Sequence, residues 1–318
     1  SIEILIFSLV AMGTHSTFFG PIKFSILPQY IKERKILLLA NGYIELGTFV
    51  AVLIGQTLGS WYMANEEFEI IVGLMAFSTF SGLILSYRME KTMPVGSKEK
   101  FHWNLFKDTW LSYRKITENK KIKNNIHAIS WFWAMGIVYT TQLPVFTQIY
   151  MGGCAHVFSI LLAVFSISIG LGSLTCAKIS DGKIVKQFVI FGAIGIAFFS
   201  MILIGFNFHP HDHCLGLAEF SSSWHGVVNY VLIFMIGFSA GFYSVTCYNE
   251  LQVISPIEML SQVIGVNNVL NSCYMLFCSL ICILILFFVS LWWLFVITII
   301  ANLFFALWYL RVNFEPST

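Results

Sequence analysis

The stretch that decides the reading runs Tyr87-Arg88-Met89-Glu90-Lys91, then Lys98-Glu99-Lys100-Phe101-His102-Trp103-Asn104-Leu105-Phe106-Lys107-Asp108-Thr109-Trp110-Leu111-Ser112-Tyr113-Arg114-Lys115, and closes on Lys120-Lys121-Ile122-Lys123. It is the only long polar passage in a chain of 318 residues that is 57% hydrophobic and 11% charged. A water-soluble domain carries about 25% charged residues, so hydrocarbon, not water, is the solvent that suits most of this surface. Working outward from the polar passage, three apolar stretches precede it (4–27, 37–62 and 69–88) and six follow it (126–149, 157–178, 185–207, 226–249, 263–288 and 291–311). Each is close to the roughly 20 residues a helix needs to cross the hydrocarbon. Backbone polar groups in lipid must be satisfied within the segment, so spanning stretches are helices. The short alternating segments of a closed barrel are absent. The expectation is an all-α, polytopic membrane protein with nine transmembrane helices.

Charge placement gives the orientation. All 18 Lys and Arg residues fall in four places: around the end of the first stretch, in 88–123, between the fifth and sixth stretches, and at Arg311. The intervening loops carry Glu66, Glu67, Glu69, Asp212 and Glu219 but no Lys or Arg. Basic loops stay on the cytoplasmic side, which places the C-terminus inside and the N-terminus outside, in a bacterial cytoplasmic (inner) membrane. An outside N-terminus is simplest if an odd number of spans precedes residue 1, and three would make twelve. The chain then reads as 1–88, the remnant of an N-terminal half-bundle with three spans; 89–125, a basic cytoplasmic linker; and 126–318, a C-terminal half-bundle with six spans. That is an incomplete 6+6 bundle of the kind built from repeated halves around a midplane site. Within the linker, Phe101, Trp103, Leu105, Phe106, Trp110 and Tyr113 alternate with cations, as in an amphipathic helix lying in the membrane interface. The net charge of +2 gives no reason to expect a nucleic-acid partner.

Ionisable groups inside a span cost several kcal/mol unless paired or facing water. Glu45 lies roughly 12 Å into the second stretch at about 1.5 Å per residue, and Lys23 lies just before the cytoplasmic end of the first, beside Pro21 and Pro28. Both are reached from the same side on consecutive antiparallel helices, so they can pair, either as a structural ion pair or around a cavity in which Lys23 meets an anionic group. His15 is a weaker candidate. The fourth stretch offers Thr140, Thr141, Gln142 and Gln148. The eighth offers Asn267, Asn268 and Asn271, with Asn267 and Asn271 one turn apart; such stripes either join helices or line a cavity. Gly55-x-x-x-Gly59, Ser166-x-x-x-Gly170 and Gly237-x-x-x-Gly241 are spacings that let helices approach closely. His209, His211, Asp212, His213 and Cys214, with His225 nearby, fall in an outside loop rather than at the defined spacing on ordered elements that a metal site has, and no metal or cofactor is expected. The seven cysteines form no Cys-x-x-Cys pair; Cys154 and Cys214 fall in two outside loops, where a disulfide is conceivable. Hydrolase, metalloprotease and phosphate-loop signatures are missing, and His102 and Asp108 miss the spacing of a glycerolipid acyltransferase. The chain is not expected to be an enzyme.

Two blocks, Thr17-Phe18-Phe19-Gly20-Pro21-Ile22-Lys23-Phe24-Ser25-Ile26-Leu27-Pro28 and Ala40-Asn41-Gly42-Tyr43-Ile44-Glu45, resemble the fourth and fifth spans of lysophospholipid transporters of the major facilitator superfamily. Ser130-Trp131-Phe132-Trp133, Thr141-Gln142-Leu143-Pro144, Leu161 to Ser166, Gly170 to Leu174 and Asn267 to Asn271 extend the resemblance over nearly the whole chain. It is nearest the branch fused to acyltransferase and acyl-carrier-protein synthetase domains. The resemblance implies a twelve-span relative that this chain matches from the fourth span. It also implies flipping of lysophospholipid to the cytoplasmic leaflet for reacylation, with membrane lipid and a fused or associated acyltransferase or synthetase as partners. Lys23 and Glu45 match its motif, and Thr140 aligns where some members carry Arg. Three other readings stand beside this one: a carrier of another amphiphile or small solute; a non-transporting membrane anchor from a multidomain acyltransferase; and an integral membrane enzyme, disfavoured because no acid–base or nucleophile constellation recurs near one face.

Overall fold

A computed structural model describes residues 2–92, 104–211 and 213–314. Phe101, Trp103, Lys98 and Lys100 of the linker, and Asp212, lie outside the described residues. The helices in chain order are α1 (Ile2–Ser25), α2 (Leu27–Tyr30), α3 (Arg34–Ala64), α4 (Phe68–Arg88), α5 (Leu105–Thr117), α6 (Lys120–Ile149), α7 (Ala155–Ser180), α8 (Gln187–Phe206), α9 (Leu217–Ser222), α10 (Trp224–Ile254), α11 (Leu260–Leu286) and α12 (Leu291–Phe314). Nothing among the described residues forms a named strand; one isolated backbone bridge joins Gly153 to Leu215. Seven of the described helices, α3, α4, α7, α8, α10, α11 and α12, are long and apolar enough to cross a membrane. The protein is a multi-pass membrane protein. Helices α1 and α6, of 24 and 30 residues, coincide with the remaining two apolar stretches.

Local chemistry sets the helix ends. The Asn104 side chain accepts from the Lys107 backbone N–H at 3.1 Å and starts α5. The Asn119 side chain accepts from the N–H groups of Lys121 and Ile122 and starts α6, several residues before the apolar stretch begins. Such caps satisfy donors that have no partner within the helix. The lysines in that extra turn can keep their heads in water. Pro28 sits in the first turn of α2, where its missing N–H costs nothing, and the Tyr30 hydroxyl donates to the Glu90 carbonyl beyond α4.

Helices α6, α7, α8, α10, α11 and α12 form one bundle. Its principal apolar cluster gathers Tyr139, Phe146, Leu203, Ile233 and Phe295, with the Phe146 and Phe295 rings 4.9 Å apart and edge-on. A second cluster, around Ile126, Ile129, Tyr243 and Tyr309, fills the end of the bundle nearest the linker. Helices α7 and α10 meet backbone to backbone. A Cβ at Gly172 would collide with the Phe238 carbonyl, and one at Gly241 with the Ile169 carbonyl, so only glycine permits this approach. At the opposite end from the linker, a disulfide joins Cys154 to Cys214. Backbone hydrogen bonds brace it: Cys154 N–H to Leu215 C=O at 3.0 Å and Leu215 N–H to Gly152 C=O at 2.7 Å. Helix α3 packs along α7 and touches α10, α1 lies on α11, and α4 rests on α3.

Candidate substrate pathway and its polar seam

Helix α3 faces α7 and α10 through three tiers of polar contact. At the entrance to α3, Lys35 Nζ lies 2.6 Å from Asp181 Oδ1 in the turn after α7, with both side chains exposed. Nearly two turns deeper, the Asn41 amide donates to Asn249 Oδ1 at 2.6 Å and to Gln252 Oε1. Gln252 Nε2 in turn donates to the Phe24 carbonyl of α1 at 2.9 Å. Deeper still, Glu45 Oε2 accepts from the Ser244 hydroxyl at 2.8 Å and from the Ser173 hydroxyl. Asn41, Glu45, Asn249 and Gln252 are all buried. Burying a carboxylate is costly unless it is hydrogen-bonded, and one serine from each of two helices supplies a donor to Oε2 of Glu45.

The expected companion, Lys23, sits close enough to Glu45 for electrostatic attraction. Its ammonium donates to Thr48 Oγ1 at 3.3 Å and lies 4.7 Å from the centre of the Phe24 ring. Phe24 stacks on Tyr248 with ring centres 4.6 Å apart, and the Tyr248 hydroxyl accepts from Trp133 Nε1 at 2.9 Å. Lys23, Phe24, Tyr248 and Trp133 therefore form a continuous chain from α1 through α10 to α6. Trp133 borders a small cavity of about 130 Å³ whose walls come from α3, α6, α7, α8, α10 and α11, including Phe49, Thr140, Phe165, Ile196 and Met275.

The other sequence candidates separate. Thr140 lines that cavity and donates to its own helix at Gly136 C=O, 2.9 Å away. Gln142 is half-buried, and its amide donates to Thr141 Oγ1 at 3.3 Å. Asn271 joins helices, its Oδ1 accepting from the buried Ser130 hydroxyl at 2.9 Å. Asn267 is fully buried beside the Tyr248 hydroxyl, yet neither of its amide atoms makes a hydrogen bond of good geometry. His15 is exposed on α1 and stacks on Phe19 at 5.9 Å. His211 packs edge-on to His225 at 5.5 Å; among the described residues, no three His, Cys, Asp or Glu side chains converge as a metal site would need.

Sequence reasoning missed several partners. Glu250, 2% exposed, takes Lys186 Nζ at 2.8 Å, Asn125 Nδ2 at 3.0 Å and the Tyr309 hydroxyl at 3.3 Å, tying α6, α10, α12 and the start of α8 together. Ser173, Ser244, Asn249 and Gln252 were missed as well. Serines and amides inside apolar helices are too common to single out without knowing which face meets which neighbour.

The family model described as Major Facilitator Superfamily matches residues 1–277. The lysophospholipid transporter LplT of Yersinia enterocolitica serotype O:8 / biotype 1B is 23% identical over 265 residues, covering 83% of this chain and 58% of that relative. The chain thus spans a little over half the length of the curated relative it matches.

Proposed function

This chain belongs to the Major Facilitator Superfamily, and from that premise we propose that it takes part in moving lysophospholipid between the leaflets of a bacterial inner membrane, for reacylation on the cytoplasmic side. Membership supports reading it as a transporter component rather than an enzyme, and the similarity to a lysophospholipid transporter supports a lipid substrate. We read α1, α3, α4, α6, α7, α8, α10, α11 and α12 as nine spans. Residues 1–88 then belong to one half-bundle, 126–318 to the other, and 89–125 to a cytoplasmic linker, with the C-terminus inside. The segregation of Lys and Arg to the linker end supports this orientation.

The observation that carries the mechanism is the polar seam. In alternating access, two half-bundles rock about a central site, and the contacts between them must be closed in one state and open in another. Hydrogen bonds and one exposed ion pair are suited to that, because water can replace each partner when the seam parts. A cavity of about 570 Å³ lies between α6, α11 and α12; the one beside Trp133 and Thr140, about 130 Å³, is below the roughly 300–1,000 Å³ of ordinary ligand sites, and we read it as contracted, with the cytoplasmic side shut. Parting α3 from α7 and α10 would widen it and expose Lys23, whose ammonium can meet the phosphate of a headgroup while aromatic walls accept the acyl chain. Asn267, buried beside the Tyr248 hydroxyl with no well-formed hydrogen bond, is available to the same headgroup once α11 shifts.

Glu45→Gln keeps a hydrogen-bond acceptor for Ser173 and Ser244 but removes the charge. In proteoliposomes carrying labelled lysophosphatidylethanolamine, flipping is expected to fall at least tenfold at unchanged protein level. Wild-type flipping by that variant would refute the role of Glu45. Flipping of none of the lysophospholipids by wild type, with uptake of a soluble solute instead, would overturn the substrate.

A further inference from the structure

Helix α5 (Leu105–Thr117) does not belong to the seam or to any span, yet its orientation is fixed. On one side, Ile116 is 2% exposed and enters the second apolar cluster together with Tyr113, and the helix rests on α6 and α11. The side chains on the opposite side are therefore aimed outward. Read at helical spacing they are Lys107, then Trp110 and Leu111 one turn on, then Arg114 a further turn on. Trp110 is 60% exposed and Leu111 51%; Lys107 and Arg114 are exposed at either end of the pair. An apolar patch between two cations is a poor surface to present to water. Tryptophan buries a large area and prefers the boundary between headgroups and acyl chains. Cations one turn to either side of it reach the depth of lipid phosphates. The height of α5 is set as well, because only Glu118 and Asn119 separate it from α6, itself read here as a span, whose exposed Lys120, Lys121 and Lys123 continue the positive band.

We propose that the outward stripe Lys107–Trp110–Leu111–Arg114 of α5 is a binding surface for the anionic phospholipid headgroups of the cytoplasmic leaflet. Trp110 and Leu111 enter the boundary layer, and the two cations take the phosphates. This rests on the helix packing and charge placement and does not depend on which substrate is carried. Because α5 leans on α11 and leads into α6, anionic lipid also steadies two helices that border the small cavity.

The test follows amide hydrogen exchange over 105–123 in the full chain, reconstituted in phosphatidylcholine alone or in phosphatidylcholine containing phosphatidylglycerol. Exchange in α5 should be roughly tenfold slower with phosphatidylglycerol at low salt, given the attraction of each cation to an anionic surface. The difference should shrink as salt screens it. The Lys107→Gln/Arg114→Gln variant should lose the difference while exchange in α7 and α10 stays as in wild type. Equal exchange in the two lipids, or a difference that salt leaves untouched, would overturn anionic recognition. Fast exchange in both would put the stripe in water and remove the site altogether. The salt series uses the wild-type chain, so a misfolded variant cannot mask the answer, and the readout is independent of flipping.

Discussion

Helices α4 and α10 are both long and apolar enough to cross a bilayer, yet most of α10 is buried inside the protein and no described residue of α4 is. Apolar content therefore says where a helix can live and nothing about what it touches. Lipid tails are as apolar as leucine, so helices associate through close backbone approach and polar contacts. The α10 sequence supplies both: Gly237 and Gly241 let α7 in, and Ser244, Asn249, Glu250 and Gln252 find partners on α3, α6, α8 and α12. In α4, a side chain added at Gly73 or Gly82 would meet nothing within 4 Å, and its apolar face is left for lipid or for further helices. The molecule divides into a bundle that holds itself together, α6 to α12, and three long helices, α1, α3 and α4, of which α1 and α3 are attached to it and α4 rests on α3.

The sharpest way to break that contrast is to unpair Glu250. Lys186→Met leaves a carboxylate that is 2% exposed without its cation, and removing one partner of a buried pair costs about 3–5 kcal/mol. The thermal midpoint of the detergent-solubilised protein should drop sharply, and the second change in Lys186→Met/Glu250→Leu should restore most of it. The matching substitution in the N-terminal region, Lys35→Met, breaks a pair whose side chains are 55% and 69% exposed and should leave the midpoint nearly where it was. Equal losses from the two would mean that the bundle and its attachments are not energetically distinct.

A smaller effect is expected from crowding the backbones. Gly241→Leu places a side chain against the Ile169 carbonyl, and overpacking of this kind typically costs 1–3 kcal/mol. The same change at Gly55 of α3, where nothing lies within 4 Å, should stay within about 0.5 kcal/mol. Both glycines stand in the same Gly-x-x-x-Gly spacing, so the pair asks whether spacing or neighbours decide. If Gly55→Leu proved as damaging as Gly241→Leu, α3 would have to pack against something outside the described residues.

The same contrast marks what the sequence could convey. Every apolar stretch reappears as a long helix, because hydrophobic length is a local property. So is the amphipathic pattern of the linker, whose described part forms α5. The pairing of Cys154 with Cys214 was only conceivable, since 60 residues separate them. Glu250 went unnoticed because it stands just past the 226–249 stretch, where a charge reads as the start of a loop. Its partner Lys186 reads as an ordinary positive-inside lysine. Glu45 was legible as an isolated acid in an apolar run, but its hydrogen-bond donors were not: Ser173 and Ser244 lie 128 and 199 residues away. Lys23 was found but not its company, since the ring it covers belongs to Phe24, the next residue, and that ring rests on Tyr248 of a distant helix. What hydropathy and charge counting miss is which face of each rod meets which other rod.

The gentlest test of the attachment is acid. In the folded protein the Lys35 ammonium, hydrogen-bonded to Asp181, holds that carboxyl below its ordinary value of 3.8. A group whose pKa is depressed by folding contributes its full stabilisation above the ordinary value and loses it as pH falls through the native one. The outermost tier of the seam should therefore be intact at neutral pH and release only in distinctly acidic solution. The difference in melting midpoint between wild type and Asp181→Asn should be small, constant from neutral pH down to the ordinary carboxylate range, and vanish below it; added salt should reduce it throughout. A difference that grew on acidification would carry the opposite sign and show that Asp181 is protonated more readily in the folded protein, so that Lys35 is not its partner. Because the site is exposed, the effect can be small without weakening the seam, whose deeper tiers, Asn41 with Asn249 and Gln252, and Glu45 with its two serines, are closed off from the solvent that would compete for them.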